Sequence, residues 1–505
     1  MTRVFFLGLV ALYLPRAAPL PTSSSGESSG PDRMSPLFAP APVWTLGGAQ
    51  EQQSMTGVMG GTDEDTTDHS ATVEKLTTSY FLNDDFWFTV PGGRMMQTYK
   101  DAPQGDTYDN AMGVQFMIRQ ESTVDHGKDI LNAFANQMYC DLEQKSDDGW
   151  RGKDTTASGE WVQLFRRFFG ANDAHQTTPG GSWQEDYVTG NNIFVGLAFA
   201  HASTVLAQDE NAACYALAAY DIADAIWETR KCDSHDFPRD GDDYTNTESM
   251  ADWVGLLNTL NQHGEYEKQA AGMVEFYEKA YNKDDPSYFA GMSCNAELSG
   301  TDSGFGNVHP ADTTFWSSMA DAALSGTDYS ENMISAMKNL FPQVDIENEQ
   351  SNMDTYQGFD YNGIRFSTGG NAIQWELTAS AGAMSLMHSL HKHGDQMQWH
   401  TVELVDLFQT RKTAFIDSIT HLIETSGYVP GSVQSGGSYQ YVGLPWSYRP
   451  IAHLSASAWS GLALLMDNAS DKDALNVFAA QKGMLSRAEA QYGCANIKQT
   501  LAKCN

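Results

Sequence analysis

Cations are scarce in this chain. Its 505 residues hold 30 Lys plus Arg against 64 Asp plus Glu, a formal net charge of −34. That deficit argues against nucleic-acid binding, because a protein that grips phosphates must bring neutralising cations. It argues equally against docking on an anionic membrane surface. Long apolar runs are lacking as well. Beyond residues 4–14, nothing approaches the roughly 18 apolar residues of a membrane-spanning helix. Cysteine is sparse, with six in the chain, so disulfides are not its main scaffold. Cofactor fingerprints are missing too. There is no His-Glu-x-x-His, no cysteine pair at zinc spacing, and no Lys-Ser/Thr after the glycine pairs Gly180-Gly181 and Gly436-Gly437. No Gly-x-Ser-x-Gly elbow appears in a strand-to-helix context. The expected chemistry therefore uses side chains alone, with no metal and no cofactor. What is present is a hydrophobic fraction of 41% and an aromatic fraction of 11%, too rich for a disordered acidic chain.

The chain starts with a short basic stretch, Met1–Arg3, then the apolar run 4–14, Pro15 and the small pair Ala17-Ala18. This layout predicts a secretory signal peptide over residues 1–18 and an extracellular protein. Residues 19–67 are expected as a Ser/Gly-rich disordered leader. Export makes disulfides permissible. Cys494 and Cys504 are close enough to staple a C-terminal tail, 491–505, which would leave Cys140, Cys214, Cys232 and Cys294 with three possible connectivities. Residues 68–104 read as an N-terminal extension whose runs 73–81 and 86–90 form either short strands or a capping segment.

From residue 105 to 490 two kinds of helical segment alternate. Segments 111–118, 193–206, 251–260, 315–324, 379–390 and 454–466 are apolar nearly all round. Segments 130–142, 212–227, 266–281, 333–340, 402–423 and 474–490 carry a polar face. Helices that are apolar all round are buried, and amphipathic ones cover them. Asp109, Asn191, Glu248, Asp312, Glu376 and His453 open the apolar segments at a spacing of roughly 65 residues, a repeat signature. Six inner–outer pairs predict an all-α fold, an (α/α)6 toroid of six helical hairpins. An open solenoid uses the same hairpins, but the long period and long polar loops favour closure.

In a closed ring the N-termini of the inner helices converge on one mouth. Four carboxylates stand there: Asp109, Glu248, Asp312 and Glu376. Each alone is explained by the preference of acids for the first helical turn. Their recurrence beside aromatics is harder to dismiss. Tyr187, Tyr244, Trp316, Trp375, Trp446 and Tyr448 lie in or next to the same loops, with Asn191 among them. Rings beside acids and amides suit a sugar, whose C–H face packs on aromatics while its hydroxyls are hydrogen-bonded. Arg449 and His453 are rare cationic groups in this acidic mouth, placed to pair with the carboxylates or with an anionic substituent. Two clusters look less functional. Asp240-Gly241-Asp242-Asp243 has Ala251 where a calcium loop needs its bidentate Glu, and His388, His391 and His393 lie at the far end of an inner helix.

The segments Thr189-Gly190-Asn191-Asn192, Thr247-Glu248, Asp312-Thr313-Thr314-Phe315-Trp316, Trp375-Glu376-Leu377-Thr378-Ala379 and Trp446-Ser447-Tyr448-Arg449-Pro450 resemble the six-hairpin glycosidase superfamily over about residues 105–467. Leu377 stands where the resemblance would place a glycine. The resemblance implies cleavage of glycosidic bonds in an oligo- or polysaccharide by paired carboxylic residues, often with inversion. In that scheme one carboxyl protonates the leaving oxygen and the other activates water or attacks the sugar. Glu376, walled by Trp375, is expected as the acid, with Glu248 or Asp312 as base and Asp109 holding sugar hydroxyls. A polysaccharide lyase, using Tyr448 or His453 with Arg449, and a non-catalytic sugar-binding toroid remain the alternatives.

Overall fold

The computed structural model describes residues 68–100, 104–140, 151–152, 156–170, 187–241, 244–282, 287–295, 300–301, 310–325, 343–344, 359, 361–365, 373–393, 402–433 and 448–504. Helix α1 (Ser70–Leu76) is followed by α2 (Thr107–Met117), α3 (Val124–Cys140), α4 (Thr189–Val205), α5 (Ala212–Arg230), α6 (Thr247–Leu260), α7 (Glu267–Ala280) and α8 (Ala311–Ser325). Helix α9 opens at Trp375–Leu377, widens to π geometry over Thr378–Met384 and returns to α over Ser385–His393. Then come α10 (Val402–Ser426), α11 (Leu454–Asn468), α12 (Arg487–Gly493) and α13 (Ile497–Thr500).

The apolar segments form a closed inner ring. Helix α2 packs on α4, α4 on α6, α6 on α8, α8 on α9, α9 on α11, and α11 back on α2. Outside it, α3 lies on α2, α5 on α4, α7 on α6 and α8, and α10 on α9. This closure makes the fold an (α/α)6 toroid and rules out an open solenoid. The segment 333–340, expected as the fourth outer helix, lies outside the described residues. Burial follows the pattern: α4 is buried along almost its whole length, whereas α7 buries only one face.

Four expectations change. Residues 73–81 are helical, through α1 and a π turn over Thr77–Phe81, and pack against α10 and α11 as an outer layer. The buried Val73, Leu76, Tyr80 and Phe81 recur at helical spacing, so the 3.6-residue period outweighs their β-branched and aromatic character. The neighbouring strand does form: Trp87–Val90 pairs antiparallel with Gly93–Met96, Trp87 opposite Met96. The segment 474–490 is no outer helix. It holds a 3-10 turn at Asp473–Leu475, then an irregular course with Gly483 at φ +88°, a conformation that interrupts a helix, and only its last residues, from Arg487, enter α12. This stretch crosses beneath the ring. Phe478 meets Trp316 at 5.7 Å, Asn258 donates to the Phe478 carbonyl, Ser203 meets Met484 and Arg119 reaches the Ala474 carbonyl.

Helix α5 shows little of the expected polar face, because α12 and α13 pack over it. The disulfides explain that cover. They join Cys140 to Cys504, Cys214 to Cys494 and Cys232 to Cys294, so Cys494 and Cys504 each anchor to an outer helix and not to one another. The segment 491–504 is thereby bound down on α3 and α5.

Candidate active site

Three of the inner helices start at a side-chain cap. Asp106 ends the strand Gln104–Asp106 and caps α2, accepting from Tyr108 N at 2.9 Å. Asn246 ends the strand Tyr244–Asn246 and caps α6, accepting from Glu248 N at 3.0 Å. His453 caps α11, its Nδ1 accepting from Ala456 N. The caps on α2 and α6 hold Asp109 and Glu248 in the first turn, Asn191 and Glu376 stand in the first turns of α4 and α9 without a side-chain cap, and Asp312 stands in the first turn of α8. The six expected openers therefore meet at one end of the ring.

Glu376 is the best-held of the acids. Tyr108 Oη donates to its Oε1 at 2.6 Å, and Ser455 Oγ donates to its Oε2 at 2.9 Å. Trp459 Nε1 in turn donates to Tyr108 Oη at 2.8 Å. Behind them Trp316 packs 5.6 Å from Trp459, and Phe194 meets Tyr108 edge to face at 4.6 Å. This aromatic wall keeps water from the carboxyl. Burial pushes Glu376 up to about 7, against the hydrogen bonds from Tyr108 and Ser455 that favour the ion. From the ordinary 4.5, such a displacement is worth about 3 kcal/mol. A helix N-terminus offers an anion only about 0.3–2 kcal/mol, so desolvation wins.

The other acids crowd in. Asp312, whose Oδ1 accepts from Thr313 N at 2.6 Å, is pushed up to about 6 by burial. Glu248 is raised well above its ordinary value by burial, then by the charges of Asp312, Asp252 and Glu376. Asp109 is raised likewise by burial, then by Asp106 and Glu376, against hydrogen bonds from Thr98 and Ser455 that favour the ion, and its Oδ2 makes no hydrogen bond of ordinary geometry among the described residues. His453 Nε2 stands 3.8 Å from that oxygen. Burial lowers His453 to about 3, so the ring stays neutral. Four carboxyls in one poorly solvated mouth do not all ionise together. Asp312 and Glu376 are the two whose values straddle the range just below neutrality.

The remaining candidates have varied surroundings. Asn191 Nδ2 donates to Asp106 Oδ1 at 3.2 Å, and Arg167 Nε binds Asp106 Oδ2 at 3.0 Å, so Asn191 braces the α2 cap. Tyr187 carries the Arg166 guanidinium 5.3 Å over its ring. The Tyr244 ring lies over Gly291 on the paired strand, where any side chain would collide with it. Tyr448 lies 6.0 Å from the His453 ring, and its hydroxyl is raised by burial and by Glu376. Arg449 is exposed and sits over the Tyr99 ring at 5.5 Å. Trp316 and Trp375 are not platforms as placed. Trp316 is buried in the aromatic wall and donates to Ser380 Oγ at 3.2 Å, while Trp375 is buried against Tyr361 at 5.5 Å. Trp375 therefore does not supply the apolar wall of Glu376; Tyr108, Trp459 and Trp316 do. Trp446 lies outside the described residues. Leu377 is buried and right-handed helical at φ −74°, so that position makes no demand for glycine.

Sequence reasoning missed Tyr108, Ser455, Trp459, Asp106 and Asp252. Tyr108 adjoins Asp109 and Ser455 follows His453 by two, so nearness to the openers was a usable signal. Asp252 is a lone acid in an apolar inner helix, itself a signal. It is buried one turn beyond Glu248, beside Gly190 of α4, where a Cβ would stand 3.1 Å from its Oδ2. Asp240, from the acidic cluster that lacks the calcium-loop Glu, accepts from Asn246 N at 2.7 Å and steadies the entry to α6. His388 is buried 3.6 Å from Asp473, whereas His391 is exposed.

No family model matches the chain, and no curated protein matches it. Among solved structures it is similar to a family 76 glycoside hydrolase from a bovine Bacteroides thetaiotaomicron strain, with 11% identity over 79% of this chain and 78% of that one, at a TM-score of 0.49. It is similar also to the unsaturated glucuronyl hydrolase of Bacillus sp. GL1, with 12% identity over 82% and 99% of the two chains and a TM-score of 0.48. A D-mannose isomerase shares 10% identity over 79% and 96%, with a TM-score of 0.49. The closed ring of inner helices stands on its own contacts, independently of these likenesses.

Proposed function

We propose that the protein is a secreted glycoside hydrolase acting on an oligo- or polysaccharide, with Glu376 as general acid and Asp312 as its partner base. The observation that carries this reading is the pair of buried carboxyls at about 7 and about 6 on neighbouring inner-helix N-termini. Between those values Asp312 is mostly ionised while Glu376 is mostly protonated, the division of labour that glycosidic cleavage requires. Glu376 gives its proton to the glycosidic oxygen, and that oxygen leaves with the electron pair of its bond to the anomeric carbon. Water adds to that carbon, and Asp312 takes the proton that the water loses. Glu248 and Asp109, whose burial favours the protonated form, serve as hydrogen-bond partners for sugar hydroxyls. Tyr187, Tyr244, Tyr448 and Arg449 offer the mouth its aromatic and cationic contacts, with Trp446 beside them in sequence. Three disulfides suit an oxidising, extracellular setting. No helix among the described residues is long and apolar enough to cross a membrane.

The test is product analysis of the purified protein against neutral and acidic polysaccharides, following reducing ends and ultraviolet absorbance together. Reducing ends that fall by about 100-fold or more in Glu376→Gln support the hydrolase and its acid. A gain in absorbance from a new double bond would move the reading to a lyase. Sugar binding without turnover across the panel would leave a binding protein.

A further inference from the structure

The hydrogen bonds around Glu376 have a fixed polarity on one side and a reversible one on the other. An indole N–H only donates, so Trp459 Nε1 gives its hydrogen to Tyr108 Oη. A phenol has a single hydrogen, and that of Tyr108 points to Glu376 Oε1. Burial and the Glu376 charge both hold the phenol protonated. If Oε1 carried the acid proton, Tyr108 Oη would accept from Trp459 and from Glu376. Its own hydrogen would then lose its protein partner in a part-buried site, a costly arrangement. Oε1 is therefore an acceptor in both protonation states.

The second oxygen faces a hydroxyl that can turn. Ser455 Oγ lies 2.9 Å from Oε2 and 3.2 Å from His453 Nδ1. His453 Nδ1 accepts from Ala456 N, so the neutral ring carries its hydrogen on Nε2, towards Asp109, and keeps a lone pair on Nδ1. With Glu376 ionised, Ser455 donates to Oε2. With Glu376 protonated, the Oε2 hydrogen points to Ser455 Oγ and the serine hydrogen turns away from Glu376, to the His453 Nδ1 lone pair shared with Ala456 N or to the Asp109 carboxyl. Asp106, Asp109, Asp312 and Glu248 act on the pair through charge, Asp109 also through a hydrogen bond with Ser455, while Tyr99 and Tyr448 face Glu376 as neutral phenols.

We propose that Tyr108 and Ser455 are positioning residues that place the acid proton of Glu376 on Oε2, with Oε1 locked as the carbonyl oxygen by the Trp459–Tyr108 pair. Only the consequence rests on the hydrolase reading: the leaving oxygen would take its proton from the Ser455 and His453 side. The placement itself is a property of the resting protein.

Infrared difference spectra of the full chain across a pH titration test it, with Glu376→Gln identifying the carboxylic C=O band. Tyr108→Phe keeps the ring on Phe194 but removes the hydrogen bond to the carbonyl oxygen. Its band is expected at higher wavenumber, with the titration midpoint raised by about one unit, a tenfold gain in proton affinity. Ser455→Ala is expected to move the band less, since it takes an acceptor from the O–H and leaves the donor to the carbonyl in place. It is also expected to shift the midpoint less, since it removes comparable partners from ion and acid, whereas the Tyr108 bond is stronger to the ion than to the carbonyl. The comparison of the two variants decides. A band unmoved in Tyr108→Phe, or displaced further in Ser455→Ala than in Tyr108→Phe, puts the proton on Oε1 and overturns the proposal. The expected pattern in a protein that cleaves no glycan would sink the hydrolase reading and leave the placement standing.

Discussion

Glu376, at about 7, and Asp312, at about 6, make opposite demands on pH. Below about 6 the base is protonated and lost; above about 7 the acid is ionised and lost. The kcat/KM profile on any cleaved glycan should therefore be a narrow bell with its maximum between these limits. A flat profile from pH 5 to pH 8 would contradict the pair. The same burial has a stability consequence. At low pH Glu376 is protonated in both folded and unfolded chains. As pH rises from about 4.5, the unfolded chain loses this proton first, so stability falls until pH passes about 7 and stays lower beyond it. Glu376→Gln removes that loss. In urea unfolding the variant should be more stable than the parent by about 1–3 kcal/mol at pH 8, with little gain at pH 4.5. An equal difference at both pH values would mean that the carboxyl is solvated. The positions of the four mouth acids were legible in sequence because each opens an apolar segment. Their unequal proton affinities were not, because these depend on hydroxyls and charges brought from other helices.

At the scale of elements, the inner helices were legible from composition, since a segment apolar on every side has only the interior to occupy. The segment 474–490 misled because its polar and apolar residues allow a helix when read alone. In the fold its apolar side chains are needed below the ring. Phe478 is fully buried between Trp316 and the Gly255 backbone. Phe478→Ala should therefore destabilise the protein by about 3–5 kcal/mol, read as a lower urea midpoint with an unchanged slope. A loss below about 1 kcal/mol would show that this segment merely lies on the surface. Because Phe478 supports Trp316, which backs Trp459 and Tyr108, part of the site's rigidity comes from this strap.

Across the whole molecule, two disulfides with sequence separations of 364 and 280 fasten the C-terminal segment to α3 and α5. Replacing Cys494 and Cys504 together with their partners Cys214 and Cys140 by Ser should cost about 2–5 kcal/mol per bridge. It should also open the segment after α12 to limited proteolysis, with α5 newly solvated. A protease pattern unchanged from that of the parent would mean that packing alone retains the tail.

By itself the sequence determined the closed helical ring, its acidic mouth and the openers of each inner helix. Hydrophobic period and first-turn chemistry are local properties, written within a few residues of where they act. The tertiary structure alone decided the cysteine pairing, the strap beneath the ring and the burial of α5. It alone also decided which carboxyl Tyr108, Ser455 and Trp459 surround. These depend on groups hundreds of residues apart in the chain meeting in one place, and only packing sets which of them meet.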